Sequence, residues 1–304
     1  MRQHTYGLMI VVGALFFSWT ITPVLAQSPP VTSVRDALKS IKQFDDSCTR
    51  KDASEPKTSA FVQVADVKPD MSCAIAPMDL AHHLQSADTV LVDTRSATDF
   101  TGFHIDGAMN ISPSELRSKT FLIKKSVVLM GNGKAEREQY IDCKRLKSNG
   151  FKQVKVLHGG MPSWLASGQA VLGLAPNIAQ LTRLTPSELW IESQFESNLV
   201  LVTSSQKVLQ SQLKNSVLLS DENPKTIQKA IENYRKHSKS EVLAAVVLVS
   251  DKGQDFQTLI QTIKTVPLLV YYETAEAFAQ YVAQQNAVWM AQARGPKQPS
   301  GCKR

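Results

Sequence analysis

Val90-Leu91-Val92-Asp93-Thr94-Arg95 and Val127-Val128-Leu129-Met130 are two runs in which apolar residues do not alternate with polar ones. A strand with one wet face alternates. A strand covered on both faces by helices stays apolar throughout, as in parallel sheets. Amphipathic stretches at 78–85, 136–148 and 162–167 stand between and after these runs and predict the covering helices. Short buried strands alternating with helices predict an α/β fold with a parallel sheet. The texture holds from Pro77 onward and defines one unit over residues 75–173.

The order then repeats. Thr185-Pro186-Ser187-Glu188 combines a capping box with proline at the first helical position, so a helix begins there. Residues 199–202 and 245–249 read as further buried strands. Pro77 corresponds to Pro186, Val90-Leu91-Val92 to Val200-Leu201-Val202 and Val127-Val128-Leu129 to Val246-Val247-Leu248, at offsets of 109, 110 and 119 residues. The drift in offset suggests an old duplication with loop insertions. The expected second unit spans 182–290, with a linker at 172–184 that carries Gly173 and Pro176. Residues 27–74 form an extension with a short helix at 34–44, and 291–304 a basic tail.

The first 26 residues read as a secretory signal: Arg2, an apolar run from Leu8 to Ala26, and Val24-Leu25-Ala26 ahead of Gln27. The run approaches the length of a bilayer span, so an uncleaved anchor is the alternative. Cleavage removes only Arg2 among the charged residues and leaves 33 basic against 27 acidic side chains, a net charge of +6. These charges are dispersed, which gives nucleic-acid binding little support. No later segment has the length and apolarity of a membrane span. A chain exported across an inner membrane, with the periplasm as its expected compartment, meets oxidising conditions that permit disulfides. Of Cys48, Cys73, Cys143 and Cys302, the favoured pair is Cys48 with Cys73, because the two flank one polar stretch; sequence does not fix the pairing.

The first unit resembles the rhodanese family at two separated places. One is Val90-Leu91-Val92-Asp93-Thr94-Arg95, with Phe100 and then His104-Ile105-Asp106-Gly107-Ala108-Met109-Asn110-Ile111. The other is Gly150-Phe151, Val154, Val156-Leu157, Gly159-Gly160, Trp164 and Gly168. The resemblance implies two rhodanese-like domains, each a parallel sheet flanked by helices, the second degenerate: Thr203-Ser204-Ser205 replace the Asp-x-Arg segment. In active members the loop after the central strand begins with a cysteine, and its backbone amides form an anion cradle that stabilises the thiolate.

Here that position is Gly131. Gly131, Asn132, Gly133, Lys134, Ala135, Glu136 and Arg137 have the length of such a loop, with Lys134 and Arg137 favouring a small anion and Glu136 opposing it. No residue is assigned a catalytic role, no metal site or cofactor is expected, and Ser250, at the matching place in the second unit, has no evident base. Cys143 reads as a buried core cysteine. Asp93, Arg95 and His104 read as structural supports of the loop. The expectation is therefore a non-catalytic binding or scaffolding protein of the cell envelope, with a protein partner. The alternative is a sulfurtransferase or thiol-redox factor using a relocated cysteine, with Cys302 beside Lys303 and Arg304 the exposed candidate.

Overall fold

The computed structural model describes residues 67–86, 88–213, 215–238, 242–251, 256–263 and 266–294. The leader, the helix expected at 34–44, Cys48, Cys302 and the tail beyond 294 lie outside the described residues. The first half runs β1 (Ala74–Ile75), α1 (Pro77–His83), β2 (Thr89–Asp93), α2 (Ala97–Gly102), β3 (Phe103–His104), β4 (Met109–Asn110), α3 (Pro113–Leu116), β5 (Ser126–Met130), α4 (Glu136–Ser148), β6 (Gln153–Leu157), α5 (Gly160–Ala166) and β7 (Leu172–Gly173). The second runs α6 (Ile178–Leu181), α7 (Pro186–Ser193), β8 (Asn198–Thr203), α8 (Lys207–Gln210), β9 (Val217–Leu219), α9 (Pro224–His237), β10 (Ala245–Val249), α10 (Phe256–Thr262), β11 (Leu268–Tyr271) and α11 (Ala275–Arg294). The protein is a mixed α/β chain with two parallel sheets flanked by helices. Among the described residues no helix is long and apolar enough to cross a membrane.

The first sheet has the order β1-β6-β5-β2-β4 and the second β11-β10-β8-β9. Laid side by side, β6, β5, β2 and β4 take the places of β11, β10, β8 and β9. The missing fifth place is filled by a single parallel bridge from Arg183 to Val270 on the outer side of β11, where β1 stands against β6. Each of these edge pieces leads into a helix with proline in its first turn, Pro77 in α1 and Pro186 in α7. The capping box at Thr185 and Glu188 is fully formed.

Register corrects one alignment. Val90 pairs with Val127 and Val200 with Val247, so the second central strand is offset by 120 residues, not 119. The counterpart of Gly131 is then Asp251, not Ser250.

The strands are apolar throughout because helices cover both faces. Val92, Val127, Leu129, Val154 and Val156 meet Tyr140 and Leu146 of α4 on one side, while Leu91, Val128, Met130 and Leu157 meet Leu80, Met161 and Trp164 on the other. The second sheet repeats this, with Ile227 and Ile231 of α9 beneath it and Leu189 and Phe278 above it. The charged sequence around His237 belongs to α9, which buries Ile227 and Ile231 and packs Ala230 and Tyr234 beside them, a stripe at i, i+3, i+4 and i+7. Residues 172–173, expected as linker, pair antiparallel with Phe103 and His104. Helix α11 continues to Arg294, past the boundary expected at 290.

The expected bridge between Cys48 and Cys73 is also corrected. Cys73 is bonded to Cys143, 70 residues away, with 6.6 Å between Cα atoms. Cys73 lies just before β1 and Cys143 lies on α4, which packs on β6. Because β1 pairs with β6, sheet order brings the two sulfurs together, and spacing along the chain says nothing of it.

Candidate functional site

Residues 131–135 connect the end of β5 to α4, and Glu136 and Arg137, expected in the same loop, form the first turn of α4, at the carboxyl edge of the first sheet, where open parallel sheets place their ligands. The loop lies backbone to backbone against Gly159 and Gly160. A Cβ on Gly160 would stand 2.4 Å from the Gly133 nitrogen and 2.6 Å from the Gly131 oxygen, and one on Gly133 would stand 2.6 Å from the Gly159 oxygen. Gly133, Gly159 and Gly160 also have positive φ. The Gly131 carbonyl accepts a 2.9 Å bond from the Met161 amide. The glycine pairs thus allow a close approach that no side chain permits.

Gly131 is crowded in another way. A Cβ there would stand 2.1 Å from Gln139 Nε2. That amide donates to Thr94 Oγ1 at 3.0 Å, and Thr94 Oγ1 donates to the Met130 carbonyl at 3.0 Å. Gln139 therefore fills the space in which a side chain at 131 would sit. The sequence reading missed it, although it lies three residues into α4, on the turn that faces back over the loop.

The rest of the loop is held by the second half of the chain. The Ala135 amide donates to Glu192 Oε1 at 2.6 Å, and Glu192 Oε2 accepts from Asn198 Nδ2 at 2.7 Å. Lys134 Nζ donates to the Arg183 carbonyl at 2.5 Å and to Glu188 Oε1 at 3.0 Å. Its own backbone amide turns to Asn132 Oδ1. Arg137 points away and pairs with Glu138. Of the two cations expected to serve an anion, one neutralises a carboxylate of α7 and the other faces outward. The loop's bound carboxylate is internal.

Glu136 is buried, and neither of its carboxyl oxygens has a hydrogen-bond partner. Burial first, and then the nearby charge of Glu192, push its pKa up to about 8. The Gly159 and Gly160 amides and the Tyr140 hydroxyl face the carboxyl without closing a bond and oppose this rise only in part. Glu192 is raised as well, by burial and then by Glu188, against the Ala135 and Asn198 bonds and Lys134.

Asp93, Arg95 and His104, expected as supports of the loop, bond among β2, α2 and β3. The Arg95 side chain donates to Asp93 through Nε at 3.0 and 3.1 Å and through Nη2 at 2.7 Å, and caps the Phe103 carbonyl. His104 Nδ1–H donates to the Phe100 carbonyl, and the two rings stack. His158, which the sequence reading passed over, donates from Nε2 to the Leu243 and Ala244 carbonyls and so ties β6 to the segment entering β10. Burial lowers its pKa, against the two carbonyl bonds, which raise it. In the second half, the Asp251 side chain at the corresponding loop accepts from Ser205 Oγ at 2.6 Å, and Ser250 Oγ donates to Glu222 at 2.8 Å.

Residues 76–167 match the family model of the rhodanese-like domain. No curated protein matches the chain. Similar solved structures include a rhodanese-like domain of an Anabaena protein, 26% identical, covering 27% of this chain and 97% of its own, with a TM-score of 0.25. A rhodanese-related protein of Thermoplasma volcanium is 24% identical over 33% of this chain and 96% of its own, with a TM-score of 0.28. The 3-mercaptopyruvate sulfotransferase SseA of Escherichia coli is 11% identical over 66% of this chain and 98% of its own, also with a TM-score of 0.28.

Proposed function

We propose that this chain, which carries a rhodanese-like domain over residues 76–167, is an exported, non-catalytic binding or scaffolding protein of the cell envelope. The observation that carries this reading is the state of position 131. The strand-to-helix loop begins with glycine there, and Gln139 occupies the space of a side chain. Sulfur transfer through this fold needs a thiolate at the head of the loop, held by inward-facing amides. The cysteines within the described residues, Cys73 and Cys143, are bonded to each other and fully buried. Cys143 is thereby removed as a relocated nucleophile.

The domain limits proposed are 75–173 and 182–290, the second a degenerate copy of the first. The shared strand order and the shared proline-led helix after the edge piece support duplication. The buried disulfide supports passage into an oxidising compartment, in keeping with a leader over residues 1–26 and a periplasmic destination. The partner proposed is another envelope protein; the loop's engagement with Glu192 leaves a small free anion the weaker candidate.

The test is steady-state sulfur transfer by the mature protein from thiosulfate and from a mercapto-acid donor to cyanide, beside Gly131→Cys and Gly131→Cys/Gln139→Ala. The unmodified protein is expected to show no turnover above background. Activity gained only when the space of Gln139 is also cleared would show that the frame survives without its sulfur. Turnover by the unmodified protein would overturn the reading.

A further inference from the structure

We infer that the contact between Glu192 and the loop is a proton-controlled latch between the two halves of the chain: it stays closed while Glu136 is protonated and opens when Glu136 ionises. The inference concerns regulation and holds whether or not the domain has a catalytic past. Two buried carboxyl groups lie at the junction, one from each half, near enough for the charge of Glu192 to act on Glu136. Glu192 of α7 reaches across to the Ala135 amide at 2.6 Å, and the adjoining residue, Glu136, is buried with both oxygens unpartnered. A buried carboxylate without a hydrogen bond is costly, and two together cost more, so the closed form holds one proton between them.

The groups around the pair offer no alternative. From α4, Tyr140 faces Glu136 with its hydroxyl unpartnered; from the start of α5 come only the Gly159 and Gly160 amides. From α7 come Glu192 and, beyond it, Glu188. From β8, Asn198 serves Glu192. Lys134 lowers the Glu192 pKa, but its ammonium is bonded to Glu188 and to the Arg183 carbonyl. Arg137 is turned to Glu138. Ionised Glu136 thus faces Glu192 with no cation bonded between them, and the repulsion is relieved by withdrawing α7 from the loop. The raised pKa of Glu136 places that change near pH 8, in the direction of opening as pH rises.

Hydrogen–deuterium exchange on the full mature chain between pH 6 and pH 9.5, corrected for the intrinsic pH dependence of exchange, reads the latch directly. Segments 131–140 and 186–198 are expected to lose protection together, on the order of tenfold, as pH passes about 8, while the core strands 126–130 and 245–249 keep theirs. Glu136→Gln keeps the shape of the protonated acid and should hold both segments protected across the range. Glu192→Gln, which removes the other charge, should likewise show no pH step. A flat profile in the unmodified chain, a step that persists in Glu136→Gln, or loss of core protection in parallel with the two segments would each overturn the latch.

Discussion

Glu136 carries the sharpest expectation at the scale of single residues. Its pKa rises from 4.5 in the ordinary state to about 8 when folded, so between those values the folded chain binds more protons than the unfolded one. Stability from this group is fully present below about pH 4.5 and is lost progressively as pH climbs through about 8. Glu136→Gln should remove that slope, and at neutral pH and above it should be more stable than the unmodified protein by up to a few kcal/mol. Urea denaturation at pH 5, 7 and 9 checks this, and parallel slopes for the two proteins would count against it. Gly160→Ala tests the close approach of the loop instead. Its Cβ would meet the backbone of Gly131 and Gly133 at under 3 Å, so a loss of more than about 2 kcal/mol is expected in thermal or chemical melts, the cost of overpacking against atoms that cannot move aside. The glycine pair was legible in the sequence as a motif. The reason for it, a second glycine-bearing backbone pressed against it, was not, since the two segments lie some 26 residues apart.

At the scale of elements, the disulfide joins the turn before β1 to the middle of α4. It closes a loop of about 70 residues, and in the chain-entropy model its removal by Cys73→Ser/Cys143→Ser should cost about 4 kcal/mol. Comparing denaturation midpoints of oxidised, reduced and doubly substituted protein measures this; equal stability of all three would contradict it. The start of α4 carries strain, because Ala135 is left-handed at φ 52. Ala135→Gly should therefore stabilise the chain, by up to about 1 kcal/mol, provided that the bond from its amide to Glu192 is kept. The sequence predicts α4 over 136–148 and α7 from its capping box, since those signals are local. Proximity along the chain points Cys73 to Cys48, whereas sheet order gives it Cys143. Strands β9 and β11 are apolar runs of three and four residues, too short for periodicity to assign, and the apolar residues of α9 are few among charges.

The whole molecule shows two sheets of one plan, joined where residues of the second half complete a loop of the first. The parallel sheet of the first unit and its family likeness are within reach of the sequence, which states them through buried strands, glycine pairs and one tryptophan; the order of the strands in the sheet is not. Nor is the contact of Glu192 with Ala135, 57 residues apart. It depends on how α7 settles across a junction, and a glutamate inside a capped helix looks in sequence like any solvated acid. His158 belongs to the same class, being a side chain whose bonds to Leu243 and Ala244 exist only once both sheets are built. These contacts between the two halves give the loop a partner already in place, and with the glycine at 131 they support the proposed binding role. Intact-mass analysis of the mature protein after incubation with thiosulfate, beside Cys302→Ser, tests that claim most directly. No added sulfur is expected on either protein; a persulfide on the unmodified chain that disappears in Cys302→Ser would contradict the non-catalytic reading and mark Cys302 as a working nucleophile.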